Sequence, residues 1–247
     1  MRATLAAQSE IIESVVLAER FYATLARLAS PAGQEPSLGG KLLYVGELDA
    51  RSRPLVIAGN VVGAATLTAT AEMQAQKQAI RDGVVDFLVT SLDEALRILK
   101  NEIRKRERVA VCVGVAPATI EQQIRERGIQ PDLLREQAEA GLGNGTPSTS
   151  IWSVDTAPAH WLPTLDKIAL ECLKASQLTE RRWLRVAPRH LGRTAFGVRV
   201  LSAGEAFASC FAERARASVE TGEIATAVTL LRKTGDAVDE QRFTPRC

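Results

Sequence analysis

Near the start of the chain apolar residues return every three or four positions: Ile11, Val15, Ala18, Tyr22, Leu25 and Ala29. On a helix of period 3.6 they form one stripe, so the spacing predicts a helix over residues 3–29. The stripe fits either the face of the main domain or a second subunit, which leaves a homo-oligomer as one expectation. From Pro31 to Gly40, two prolines and three glycines break the pattern and predict a linker.

Strand and helix signals then alternate. Lys41 to Val45 is apolar and short, as a buried strand is. Ser52-Arg53-Pro54 looks like a helix start, with Ser52 at the N-cap and Pro54 in the first turn. A helix over 54–64 and a strand from Ala65 to Ala71 follow. A rival reading makes Leu55 to Ala58 the strand and Gly59 to Gly63 a turn, and periodicity alone does not choose. Glu72 to Asp82 reads as a helix stopped by Gly83, and Val84 to Val89 as a buried strand. Ser91-Leu92-Asp93-Glu94 has the spacing of a capping box, in which the serine accepts the third backbone N–H and the glutamate reaches back to the serine's own. That helix runs to about Lys105 and ends in basic residues that complement its dipole. Arg108 to Val113 is the next strand, Pro117 to Arg127 a helix closed by Gly128, and Leu133-Leu134 a short strand.

This order predicts an α/β fold: a Rossmann-like parallel sheet with helices on both faces, plus the N-terminal helix. The glycine-rich stretch Ala138 to Ser150 marks a boundary. The expected organisation is a helix at 1–30, a Rossmann-like domain at 38–137, and at 150–235 an α/β extension of the sheet or a small lobe. In that last part Leu162 to Ala175 and Ala203 to Val219 read as helices. Trp183 to Ala187 and Phe196 to Leu201 read as strands, and Asp236 to Cys247 as a frayed end.

Composition narrows the function only a little. The 247 residues are 46% hydrophobic and 24% charged, with a formal net charge of +2. No strong field results, so charge favours neither nucleic acid nor an anionic membrane as partner. No apolar run reaches the roughly 20 residues of a membrane span. Acids at Glu10, Glu13 and Glu19 argue for a folded helix over a transit peptide. The cysteines Cys112, Cys172, Cys210 and Cys247 are widely spaced and form no C-x-x-C, so zinc is not suggested and reduced thiols in the cytoplasm are expected. Only His160 and His190 are present, too few for a histidine metal cluster.

Gly83-Val84-Val85-Asp86 followed by Leu92-Asp93-Glu94-Ala95-Leu96, and then Arg127-Gly128-Ile129-Gln130-Pro131-Asp132, together resemble the central Rossmann-like domain of the urocanase (urocanate hydratase) family. The resemblance runs over residues 38–137, is strongest over 83–134, and favours the first of the two readings of residues 54–64. It implies NAD, which that family uses as an electrophile, and a nicotinamide held against an imidazole ring.

Position by position, the chain departs from the family. The family's first strand leads into a glycine-rich loop, G-x-G-G-x-G-G, whose backbone approaches a pyrophosphate. Here that stretch is Gly46-Glu47-Leu48-Asp49-Ala50-Arg51-Ser52-Arg53. One glycine remains, Glu47 and Asp49 would repel a phosphate, and Arg51, Ser52 and Arg53 could form a modified anion site. A plain surface turn is the alternative. At the end of the second strand Glu72 matches a ribose-binding acid and Thr70 replaces another, although a carboxylate is also favourable there simply as a helix start. The family's G-N-A-A-E becomes Gly114-Val115-Ala116-Pro117-Ala118, and D-Q-T-S-A-H-D-P becomes Glu136-Gln137-Ala138-Glu139-Ala140-Gly141-Leu142-Gly143. The resemblance thus carries Gly46, Arg51, Ser52, Arg53, Glu72, Gly114 and Gln137 as cofactor-binding candidates. It assigns no catalytic residue, since no cysteine here matches the family's active-site segment, and the chain is shorter than a full urocanase.

Two basic clusters remain. Arg181, Arg182, Trp183 and Arg185, with Arg189, His190 and Arg193, fit either an edge strand with a solvated flank or an anion patch. Lys100 to Arg108 fits a solvated helix end. Three functions stay open: a urocanase-like protein with an eroded NAD and catalytic site that keeps a modified nucleotide or anion site, an active NAD-dependent urocanate hydratase-type lyase, and a non-catalytic oligomerisation or regulatory module.

Overall fold

Helix α1 (Arg2–Ala29) forms where the first apolar stripe predicts it. The computed structural model describes residues 2–29, 33–143, 148–192, 195–235 and 237–245, with the side chains of α1 from Ser9 onward. Val15, Ala18, Tyr22 and Leu25 are buried, and Phe21 and Ala26 widen the stripe. The stripe docks within the chain, along α2 (Arg53–Val62) on one side and against β7 (Val198–Ser202) on the other. Burying one such leucine stabilises by about 2 kcal/mol. Polar ties fix its register: the Tyr22 hydroxyl donates to the Thr179 carbonyl at 3.0 Å, and Arg27 donates to the Gly141 carbonyl at 2.7 Å.

The parallel sheet comprises β1 (Leu42–Glu47), β2 (Ala65–Ala69), β3 (Phe87–Val89), β4 (Val109–Val113) and β5 (Leu133–Leu134) in the order β3-β4-β2-β1-β5. Between them run α2, α3 (Met73–Arg81), α4 (Leu92–Lys105) and α5 (Pro117–Glu126), with α6 (Arg135–Ala140) after β5. The fold is α/β and Rossmann-like, as the alternation predicts. Residues 54–64 are mostly helical, so the rival strand at Leu55 falls away: Leu55, Val56, Ala58, Val61 and Val62 are all buried, a pattern a helix between two layers produces. Gly83 has φ +71°, the left-handed conformation that ends α3.

Two local expectations change. Only Phe87–Val89 of the expected buried strand pairs, and it lies at the sheet edge with Phe87 47% and Leu88 40% exposed. Val84 and Val85 are buried, but in the approach to the strand. Asp86 sets that approach, accepting the Ala110 N–H at 2.8 Å while gripping Arg108 with both oxygens. At α4 the Ser91 hydroxyl accepts the Glu94 N–H at 3.3 Å as expected. The Glu94 carboxylate reaches one residue further back, to the N–H and hydroxyl of Thr90.

Beyond residue 148 the parallel pattern does not resume. β6 (Thr149–Val154), β7, β8 (Val228–Thr234) and β9 (Ala237–Phe243) form a separate antiparallel sheet in the order β7-β6-β8-β9, covered by α7 (Pro158–Cys172) and α9 (Glu205–Glu220). These strands do not extend the first sheet. One apolar core nevertheless runs from α1 and α2 through Trp152, Leu165, Phe211 and Leu230. The strand expected at Trp183–Ala187 is helix α8 (Leu178–Val186) and a 3-10 turn, because Trp183, Leu184 and Ala187 share one buried helical face. The end expected to fray is β9, which pairs with β8 from Thr234↔Ala237 to Val228↔Phe243.

Candidate functional site

From β1 the chain crosses to β2 on one side, whereas β5 lies on the other. The carboxyl ends of β1 and β5 therefore flank the switch point at which open α/β sheets take ligands. Of the sequence-derived candidates, Gly46 near the end of β1 and Gln137 just after β5 lie at this edge. Gly46, next to last in β1, has φ +77° where the register with β2 slips, and its carbonyl accepts the Thr68 hydroxyl at 2.9 Å. Space is open beside it, with nothing within 4 Å of the position a Cβ would take.

The turn from Gly46 into α2 is organised by Asp49. One carboxylate oxygen accepts the N–H groups of Arg51 at 2.9 Å and Ser52 at 2.7 Å. In return Ser52 Oγ accepts the Asp49 N–H at 2.8 Å. This is a reciprocal capping box with the aspartate as cap and the serine three residues on. Backbone amides at this helix start are the groups a phosphate would use, and the protein's own carboxylate holds two of them.

The other candidates are dispersed. Ser52 stands at the N-cap of α2, as Ser52-Arg53-Pro54 predicts, but it is 1% exposed and its hydroxyl turns back to Asp49 instead of making a cap bond into the helix. Arg53 is ion-paired with Asp82, which Gln78 also holds, and both line a cavity of about 340 Å³ beside α1. Arg51 stays exposed at the turn. The trio Arg51, Ser52 and Arg53 therefore does not converge on one point. Glu72 is exposed at the N-cap of α3, without a side-chain cap bond. At Gly114 the space a glycine leaves is filled by Gln76, whose amide nitrogen sits 3.3 Å from a notional Cβ and donates to the Thr70 carbonyl. Gln137 accepts the Leu134 N–H at 2.8 Å and so starts α6.

Three residues outside the candidate set, with Glu47, give this edge its electrostatic character. The Tyr44 hydroxyl faces Glu121 at 3.4 Å, and Glu47 and Glu136 lie close enough to act on it. Burial first, then these carboxylates, push the Tyr44 hydroxyl far above its ordinary value. Cys112, inside β4, is pushed up to about 12 by burial, with Glu47 adding to the effect. The switch point is therefore acidic. Asp49-x-x-Ser52 was a readable cap signal, but nothing in the spacing of Tyr44, Glu121 and Glu136 announces that they meet.

In the first basic cluster, Arg181, Arg182 and Arg185 are spent on internal contacts. Arg181 donates to the Leu170 carbonyl and Arg182 to that of Val61, Arg182 and Arg185 share Glu35, and Trp183 Nε1 donates to the Val200 carbonyl at 2.7 Å. His190 is 7% exposed, and burial, then Arg108, lowers its pKa to about 4, so the ring is neutral. Arg189 lines a surface pocket with Arg81, and Arg193 lies outside the described residues. Among the described residues no three of His, Cys, Asp and Glu are placed to hold a metal, and no helix is long and apolar enough to cross a membrane.

Residues 21–142 match the family model described as the urocanase Rossmann-like domain. This segment is similar to the urocanase Rossmann-like domain. Among curated proteins the chain is similar to an S-methyl thiourocanate hydratase of Variovorax sp. (strain JCM 16519 / RA8), 24% identical over 101 residues. The aligned part is 41% of this chain and 18% of that protein, so the chain spans under a fifth of its relative's length. The two motifs that signal the urocanase domain clasp each other: Arg127 of Arg-Gly-x-x-Pro-Asp grips Asp93 of Leu-Asp-Glu-Ala-Leu. Asp132 of the same block accepts the Leu42 N–H at 2.8 Å and the Lys41 ammonium, tying the approach to β5 to the start of β1. The urocanase domain's architecture is compatible with NAD binding.

Proposed function

We propose that the chain is a urocanase-like protein whose NAD and catalytic site has eroded, and that its Rossmann-like domain serves as a scaffold instead of a hydratase. The observation that carries this reading is Asp49, whose carboxylate sits on the Arg51 and Ser52 amides. A pyrophosphate would have to displace it and then remain beside it. Two like charges 4 Å apart near a protein surface repel by about 4 kcal/mol. Glu47, Glu121 and Glu136 around Tyr44 add to that repulsion. The residues present therefore do not fit a dinucleotide at this turn. Gln76 closes the backbone at Gly114, where the family resemblance implies a further cofactor segment.

The competing reading is an NAD-dependent lyase of urocanase type, which the name of the Variovorax relative favours. One experiment separates the two. The purified protein is denatured and the supernatant assayed for NAD⁺. Native protein is then incubated with urocanate and with S-methyl thiourocanate, with and without added NAD⁺, and ultraviolet absorbance is followed. Erosion predicts no released dinucleotide and no loss of absorbance. Stoichiometric NAD⁺, or turnover of either compound, would overturn it.

A further inference from the structure

Cys172 closes α7, and Cys210 lies in the first half of α9, which packs along it. Both thiols are half-buried and free. Glu171, the neighbour of Cys172, forms an ion pair with Arg214, one helical turn beyond Cys210. The helix faces that carry the two thiols are therefore turned toward each other. Cys210 and the Arg214 guanidinium both lie close enough to Cys172 to act on its thiol.

From this juxtaposition we infer that Cys172 and Cys210 form an oxidisable dithiol, a modification site for hydroperoxides that closes as a disulfide between α7 and α9. Burial first, then Cys210 beside it, push the Cys172 thiol up to about 12, while the Arg214 cation at Cys172 favours negative charge on that sulfur. One sulfur of the pair attacks one peroxide oxygen, the O–O bond breaks, and the hydroxide released takes that thiol's proton as water. The second sulfur then attacks the sulfenic sulfur. The S–S bond forms, the S–O bond breaks, and the hydroxyl leaves with the second thiol's proton as another water. Two electrons pass from the dithiol to the peroxide. Cys112 is the internal control: it is fully buried in β4, with its sulfur directed at the Val113 carbonyl.

The test uses the full chain carrying Cys247→Ser. The protein is treated with stoichiometric hydrogen peroxide and mapped by mass spectrometry of a non-reducing digest. The expected product joins the peptides of Cys172 and Cys210 within one molecule, lighter by two hydrogens, with Cys112 untouched and the link reversed by dithiothreitol. With Cys172→Ser added, Cys210 should stop at a sulfenic acid that dimedone traps. Separate sulfinic acids on the two cysteines, a link between molecules, or two thiols still reduced after Cys112 has reacted would each overturn the assignment.

Discussion

The two sheets place their charged side chains in opposite ways. At the carboxyl edge of the parallel sheet, Glu47, Asp49, Glu72 and Glu136 sit at or near the surface, where a ligand would dock. In the antiparallel half, a charged pair also lies beneath the sheet. Arg199 on β7 donates to Asp166 on α7 at 2.9 Å and to the carbonyls of Phe196 and Val198, and both charged groups are buried. Trp152 Nε1 and the second Asp166 oxygen are both buried without a hydrogen bond of good geometry. An edge charge can be exchanged for another and change what binds. An interior charge can be removed only with its partner, because water cannot replace it. The parallel half therefore carries the chemistry that divergence can alter, and the antiparallel half carries a fixed core.

Arg199→Leu is expected to break this distinction most severely. It strands the Asp166 carboxylate, already pushed above the usual carboxylate range by burial, and should cost about 3–5 kcal/mol in urea unfolding. Replacing the pair together, Asp166→Leu with Arg199→Met, should recover most of that loss. The matching edge variant, Arg127→Ala, removes the exposed clasp to Asp93 and should leave the unfolding midpoint near the parent's. Equal losses in Arg199→Leu and Arg127→Ala would abolish the contrast.

Glu19 joins the two halves and comes next. It lies in α1 under β7, accepting the Ser202 hydroxyl at 2.6 Å and its N–H at 3.2 Å. Burial raises its pKa, Ser202 opposes the rise, and Glu180 adds to it. A carboxyl with a raised folded pKa contributes fully below its unfolded value near 4.5 and loses that contribution as pH climbs through the folded one. Glu19→Gln keeps both contacts to Ser202 without the charge, its amide oxygen accepting the N–H and its amide nitrogen donating to the hydroxyl oxygen. Its stability should match the parent's at pH 4 and exceed it increasingly toward pH 8, as read from urea midpoints across that range. Parallel curves would show that Glu19 does not titrate with folding.

How much of this is readable from residues alone differs between the halves for a physical reason. In the parallel half, buried strands and capped helices follow one another in sequence, with Ser91 marking a start and Gly83 and Gly128 marking stops. In the antiparallel half the decisive contacts are long-range. Trp183 to Ala187 is a short apolar run broken only by Arg185, the length and composition of a strand, and only the burial of 183, 184 and 187 together reveals a helix. β9 is polar and exposed along nearly its whole length, so it exists through backbone pairing to β8 that no apolar pattern records. At the candidate site, the acids of the β1–α2 turn were visible as obstacles to a phosphate. That Asp49 takes the phosphate's amides needed the geometry of the turn, and the approach of Glu121 and Glu136 to Tyr44 needed the packing of α5 and α6 beside β1.

At the edge itself, Asp49→Ala should cost about 1 kcal/mol, the worth of a helix cap, read from the urea midpoint. It should also free two amides for an anion. Isothermal titration with inorganic phosphate is expected to show tighter binding in Asp49→Ala than in the parent. If binding is unchanged, Asp49 is a cap and nothing more.

The smallest effect sharpens the comparison inside the parallel half. α2 and α4 both begin after a strand of the same sheet, and at each start a side chain accepts a backbone N–H, Asp49 in the turn ahead of α2 and Ser91 at the N-cap of α4. Ser91 is half-buried, and its 3.3 Å bond is long, so Ser91→Ala should cost about 0.5 kcal/mol. Ser52 is buried and answers the Asp49 N–H, so Ser52→Ala leaves a donor unmatched and should cost about 1–2 kcal/mol. Neither variant should gain phosphate affinity, because Asp49 still covers the amides in both. A Ser52→Ala protein that binds phosphate would mean that the reciprocal bond, and not the carboxylate alone, keeps the turn closed.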